Sequence, residues 1–146
     1  GNSDIDHYIQ TCTEIHRIRT TFVHQALSSM GLTSPKPTGA FYLYPSFKKW
    51  ANKLEKMGIN SCNDLSLHLL DQFGIATLPG SAFGDDTNNL CLRLSTSFLD
   101  METDNQAQDV LDRFDSGINP GLFMSDHHPR TKTFLNRMGE FLYMLN

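Results

Sequence analysis

The chain has 146 residues, of which 39% are apolar and 10% aromatic, and a formal net charge of −4 from 12 Lys+Arg against 16 Asp+Glu. That length fits one domain with a real core, since single cores form over roughly 100–200 residues, and the composition argues against disorder. The mild acidity gives no electrostatic reason to expect nucleic acid or an anionic membrane as a partner, and no apolar run approaches the roughly 20 residues of a bilayer span. Gly1-Asn2-Ser3-Asp4 does not open a signal peptide. Cys12, Cys62 and Cys91 lack CxxC spacing and fit reduced thiols, so a cytoplasmic location is expected.

Apolar residues from Ile5 to Met30 recur every three or four positions and predict one helix over 4–30, with Asp4 to cap it and Gly31 to end it. At 1.5 Å per residue such a helix runs about 40 Å. That is long for one small core, so it is expected to reach towards a neighbouring unit. The chain enters this periodicity directly and without Met, as a piece of something larger would.

Thr33 to Gly39 is a loop with two prolines. Ala40 to Tyr44 then predicts a strand closed by Pro45, with Phe41 and Leu43 on one face and Tyr42 and Tyr44 on the other. Phe47, Trp50, Ala51, Leu54 and Met57 predict a short amphipathic helix ended by Gly58, on which Lys48, Lys49, Lys53 and Lys56 form a solvated face. Ser61-x-x-Asp64 is a weak capping-box variant ahead of a helix lined by Leu65, Leu69, Leu70 and Phe73 and stopped by Gly74. Ile75 to Leu78 reads as a buried strand and Pro79 to Gly84 as a loop in which Pro79-Gly80-Ser81 shapes a turn. Leu90 to Ser95 alternates cleanly: Leu90, Leu92 and Leu94 fall on one face, Cys91, Arg93 and Ser95 on the other. A helix is predicted from about 104 to 115, a polar Gly/Pro loop follows, and the segment from Phe134 to Leu145 is helical again. This order implies an α+β or α/β layer with helices over one sheet face.

Pro37-Thr38-Gly39-Ala40-Phe41-Tyr42-Leu43-Tyr44-Pro45 resembles the P-x-G-A-F-Y-x-x-P segment of class I/II (fold-type-I) aminotransferases, which use pyridoxal 5'-phosphate. Leu69 to Gly84 is similar to that family's L-L-x-x-x-G-V-x-x-x-P-G-S-x-F-G, and Leu92-Arg93-Leu94-Ser95 matches its L-R-L-S strand. These three motifs stand in order and at natural spacing, and with the long first helix fitting the family's linker the resemblance covers about residues 4 to 115. The resemblance implies the α+β small domain that ends such an enzyme: a short sheet covered by helices on one face, entered by a long linker helix. The expected divisions are an interdomain helix over 4–31, a small-domain core over 32–116, and a less typical loop and helix over 117–146.

The resemblance further implies transfer of an amino group from an amino acid to a 2-oxo acid in a ping-pong cycle. In the complete protein the large domain would supply the Schiff-base lysine, and a homodimer is expected. Within this chain the family's carboxylate-binding arginine maps onto Arg93. Its planar guanidinium holds a carboxylate bidentately and stays charged near neutral pH. The plainer reading is an ion pair with Asp71, Asp85 or Asp86. Gly39 and Phe41 are the other substrate-binding candidates, Gly39 by permitting close approach and Phe41 by screening the site. No catalytic, cofactor-binding or metal-binding residue is expected in this segment, and no lysine matches the Schiff-base motif: Lys36 and Lys132 stand in loop contexts. The fragment is therefore expected to be inactive alone. A lyase or synthase of the same fold, such as a carbon–sulfur lyase or an aminocyclopropane-carboxylate synthase, is the alternative chemistry. A non-catalytic binding module is the alternative class.

Other residues read more simply. His127-His128 is a solvated loop pair rather than a metal site, and His7, His16 and His24 are surface histidines on a helix. Ser81 and Ser95 have no evident base, and Cys91 is a small strand residue rather than an activated thiol.

Overall fold

In the computed structural model, which describes residues 1–114 and 117–146, the first helix, α1, runs over Asn2–Ser29. It starts two residues before the expected Asp4, whose carboxylate instead takes the Gly1 amino group at 3.2 Å. Gly31, at φ 99°, follows its end. The first nine residues of α1 are exposed, whereas Ile15, Ile18, Val23 and Leu27 are buried. The apolar periodicity therefore runs well beyond the surface that this domain covers.

The predicted strand over 40–44 shrinks to β1, Tyr42–Leu43. Ala40 adopts φ 59°, a left-handed turn that no strand accommodates. The Tyr44 N–H goes to the Ser34 hydroxyl, and Pro45 has no N–H to give. The helix expected from Phe47 begins as a tight 3-10 turn over Lys48–Trp50 and becomes α2 over Ala51–Lys56, its four lysines exposed. Next comes α3, Cys62–Phe73, where the Ser61 hydroxyl accepts from the Asp64 N–H at 3.1 Å. The reciprocal half of the box is shifted by one residue: the Asp64 carboxylate takes the Asn60 N–H. Gly74 ends α3 in the left-handed conformation, φ 63°, where a side chain would be strained.

The strand expected over 75–78 is also displaced. The Ile75 N–H closes the end of α3 on the Leu69 carbonyl, so β2 is only Leu78–Pro79, and the following loop is a 3-10 turn over Gly80–Phe83. The predicted central strand starts two residues late, as β3, Leu92–Ser95. Leu90 sits at φ 53° and Cys91 makes only an isolated bridge to Ser46. These three strands form one antiparallel sheet in the order β1-β3-β2, with Leu43 opposite Leu94 and Leu78 opposite Arg93.

After β3, Thr103 caps α4, Asp104–Arg113, through a capping box with Gln106. The Asp115 end expected for this helix, and the Ser116 boundary, lie outside the described residues. The loop expected beyond them contains α5, Pro120–His127, capped by the Asn119 carboxamide and with Pro120 in its first turn. Pro at N1 starts a helix rather than breaking one. The last helix, α6, spans Pro129–Leu145, so Lys132 is helical and exposed rather than in a loop.

The fold is α+β, with six α-helices and one three-stranded sheet among the described residues. Leu43, Leu92 and Leu94 on the sheet pack with Val23 and Leu27 of α1, Leu65 and Leu69 of α3, and Met138 and Phe141 of α6. Full burial of each such side chain contributes about 1.5–3 kcal/mol. A separate small core joins Ile15 and Ile18 of α1 to Val110, Phe123 and Met124. The Trp50 indole N–H, donating to the Asn146 side chain at 3.0 Å, ties the end of α6 to the turn before α2.

Candidate functional site

The alternation read along β3 is observed: Leu92 and Leu94 are buried, while Arg93 is half-buried on the other side. Burying the leucines anchors the strand, and its period of two then turns Arg93 away from the core. Its guanidinium carbon lies 4.4 Å from the centre of the Tyr42 ring and 4.0 Å from that of Phe83. Tyr42 stands opposite Ser95, diagonal to Arg93 and within reach of a long side chain. Contacts with ring faces hold a cation without consuming its N–H donors.

Phe83 is brought to Arg93 by a chain of close fits. The Gly80 N–H donates to the Cys91 carbonyl at 2.9 Å, which ties the 3-10 turn to the start of β3. A Cβ at Gly80 would overlap the Tyr44 hydroxyl and come within 3.1 Å of both the Asp85 carboxylate and the Cys91 carbonyl. The Tyr44 hydroxyl donates to Asp85 at 2.5 Å and the Asn89 amide donates to the same carboxylate at 2.6 Å. Those hydrogen bonds hold Asp85 below the usual carboxylate range and push the Tyr44 phenol well up, with burial adding to the latter. Asp85 is thus committed to Tyr44 and Asn89. Among the described residues, no carboxylate pairs with Arg93, so the plainer alternative, an ion pair with Asp71, Asp85 or Asp86, is not formed.

Phe41 precedes β1 and is half-buried. Its ring lies 4.9 Å from that of Tyr42 and 5.4 Å from His16 on α1, while its carbonyl accepts from the Thr96 N–H and hydroxyl. His16, Phe41, Tyr42, Arg93 and Phe83 therefore form a continuous contact series from α1 across the sheet. Gly39 lies in an exposed bend with open space where a Cβ would be. Sequence reasoning did not single out Tyr42, Phe83 or His16 as partners of this series. The alternation put Tyr42 on its own face of β1, and that was the available signal; Phe83 and His16 arrive through tertiary packing.

Two histidine expectations are corrected. His16 and His24 are half-buried, not on the surface, and in His16 burial followed by the nearby Arg19 charge pulls the ionisation down. His128 is fully buried rather than solvated: its Nδ1 meets the Phe123 carbonyl at 3.2 Å, and burial holds its ionisation below the ordinary histidine value. Burial likewise raises the Cys91 thiol, the opposite of activation. Among the described residues no three His, Cys, Asp or Glu side chains are grouped as a metal site, and no helix is long and apolar enough to cross a membrane.

These features have counterparts in known proteins. The chain is 37% identical over 90 residues to an aspartate aminotransferase of Pinus pinaster, covering 60% of this chain and 18% of that one. It is 41% identical over 70 residues to a probable N-acetyl-LL-diaminopimelate aminotransferase of Bacillus subtilis, covering 48% of this chain and 16% of the relative. An aromatic aminotransferase from Pyrococcus horikoshii OT3 shares the fold, with a TM-score of 0.58 at 21% identity, over 90% of this chain and 25% of that structure. No family model matches the chain. The chain is homologous to the carboxy-terminal part of fold-type-I aminotransferases and spans less than a fifth of the length of these two relatives.

Proposed function

We propose that this chain is the carboxy-terminal small domain of an aminotransferase, in which Arg93 binds the α-carboxylate of the amino acid and of the 2-oxo acid. The observation that carries the reading is a half-buried guanidinium held against Tyr42 and Phe83 with no carboxylate of its own among the described residues. A substrate carboxylate supplies the missing anion through two parallel N–H···O bonds. Fixing that end of the substrate orients its reacting carbon, which is where positioning lowers the barrier. Phe41 screens this face and Gly39, in its open bend, lets the substrate approach.

The residues present do not fit a pyridoxal phosphate site. All six lysines are exposed, and none lines a described cavity. The cofactor and its lysine belong, on this reading, to a large domain reached through α1, whose apolar Ile5, Tyr8 and Ile9 are more than half exposed. Division into an interdomain helix over 4–31, a core over 32–116 and a terminal segment over 117–146 follows the same reading, as does a homodimer of the complete enzyme.

The test is Arg93→Leu in the complete protein. The donor's KM should rise and kcat/KM fall by about 2–4 kcal/mol in transition-state terms, with partial recovery in Arg93→Lys. Unchanged kinetics for every amino acid donor would remove Arg93 from the site. Borohydride treatment of the isolated chain with the cofactor should trap no stoichiometric adduct on any one lysine.

A further inference from the structure

Away from the Arg93 contact series, the structure holds a cavity of about 460 Å³, within the volumes that small-molecule sites occupy. Leu94, Phe98 and Phe134 contribute apolar wall, and the ionisable lining consists of Arg19, Arg130 and Arg137, with no carboxylate. Arg19 is 1% exposed, so it lies deep, whereas Arg130 and Arg137 are exposed at the mouth. The Arg19 guanidinium donates to the Ser97 and Leu99 carbonyls and meets the Met101 sulfur; its Nε has no partner among the described residues. Two carboxylates, Asp100 and Glu102, act on Arg19 from outside the lining. Asp100 accepts from the Arg130 N–H, the Thr131 N–H and the Thr131 hydroxyl at 2.7–2.9 Å, and Glu102 lies 3.3 Å from the Arg130 guanidinium with no hydrogen bond to either of its oxygens among the described residues. Arg137 donates only to the Phe73 carbonyl, at 3.4 Å. Two of the three cations thus have no anion in contact, and burial pulls Arg19 down to about 10 although Asp100 and Glu102 act to raise it. Asp100 and Glu102 offset only part of the cost of burying this charge, and an incoming anion at the free Nε adds to that compensation.

We propose that this cavity binds a small carboxylate with a compact apolar body, its anion held between Arg137 and Arg19 and its body against Leu94, Phe98 and Phe134. One deep guanidinium and an apolar wall suit a monoanion; a phosphate dianion would leave that wall unused. The inference is independent of the role given to Arg93.

The experiment is a titration of the ¹⁵N-labelled chain with phenylacetate, followed by backbone amide shifts, with phenylacetamide as the uncharged control. Saturating shifts are expected at 74–76, 94–99 and 130–137. Arg137→Glu, an exposed change that leaves the fold in place, should weaken binding about tenfold or more, as expected from losing a charge-assisted contact. Phenylacetate binding should be retained in Arg93→Leu. Absence of saturation, equal binding of phenylacetamide, or unchanged affinity in Arg137→Glu would each overturn the proposal. So would shifts centred on Tyr42, Phe83 and Arg93 that vanish in Arg93→Leu, a result that would leave the function proposed for Arg93 standing.

Discussion

Arg19 and Arg93 are the same side chain held by opposite means. Arg19 sits beside Leu94 under the sheet, fully buried, with backbone carbonyls of the segment after β3 as its partners. Arg93 points to the other side of the strand that carries Leu94, half-buried and in contact with aromatic rings. In the first environment most of the donors are spent on structure: the arginine fastens residues 97–101 to α1 and keeps only its Nε–H free. In the second, the charge is kept in place while its donors stay available. On the function proposed for Arg93, burial alone does not mark an arginine that handles substrate; what marks it is a rigid mount that uses few of its hydrogen bonds.

The contrast can be broken most severely at Arg19. Arg19→Ala should destabilise the chain by about 3–5 kcal/mol, through a cavity and two half-buried carbonyls left without donors, measured as a fall in the urea midpoint. Asp100→Ala should cost about 2–3 kcal/mol. It removes the cap on the first turn of α6, and alanine at φ 67° adds strain that aspartate tolerates better. Arg93→Leu, by contrast, should change stability by about 1 kcal/mol or less, so a large loss of stability there would end the distinction between the two arginines.

A pH series sharpens the same comparison from the side of Arg19. His128 and His16 are both held below the ordinary histidine value, by burial first. The unfolded chain then binds more protons as pH falls through about 6.5, so stability is full above that pH and declines on acidification. Denaturation midpoints should fall between pH 7.5 and pH 5, and less steeply in His128→Gln. The smallest effect is expected at the far end of α1. Ile9→Ser, at a position 55% exposed, should stay within about 0.5 kcal/mol of the parent chain, because this domain does not cover that surface.

Much of this molecule was legible from its residues. Local chemistry decided α1, α3, α4 and α6, the stops at Gly31, Gly74 and Gly58, and the facing of β3, because helical periodicity, strand alternation and capping groups act over a few residues. The motifs around Gly39, Pro79 and Arg93 located the candidate site. The strands are shorter than expected because β propensity at Ala40, Phe41 and Ile75 competes with a left-handed turn and with closure of α3, and α5 arises where loop was expected because Pro120 starts a helix instead of breaking one.

Only the tertiary structure decided what surrounds each charge. Arg93 meets Phe83 because Gly80 lets the turn after β2 close against Tyr44 and β3. Asp100 caps a helix that starts about thirty residues later, and His128 is buried by α5 rather than solvated. Sequence carries the direction in which a side chain leaves its own backbone. Which partner meets it, and whether its donors are spent or kept, depends on contacts between segments far apart in the chain, which only the folded packing brings together.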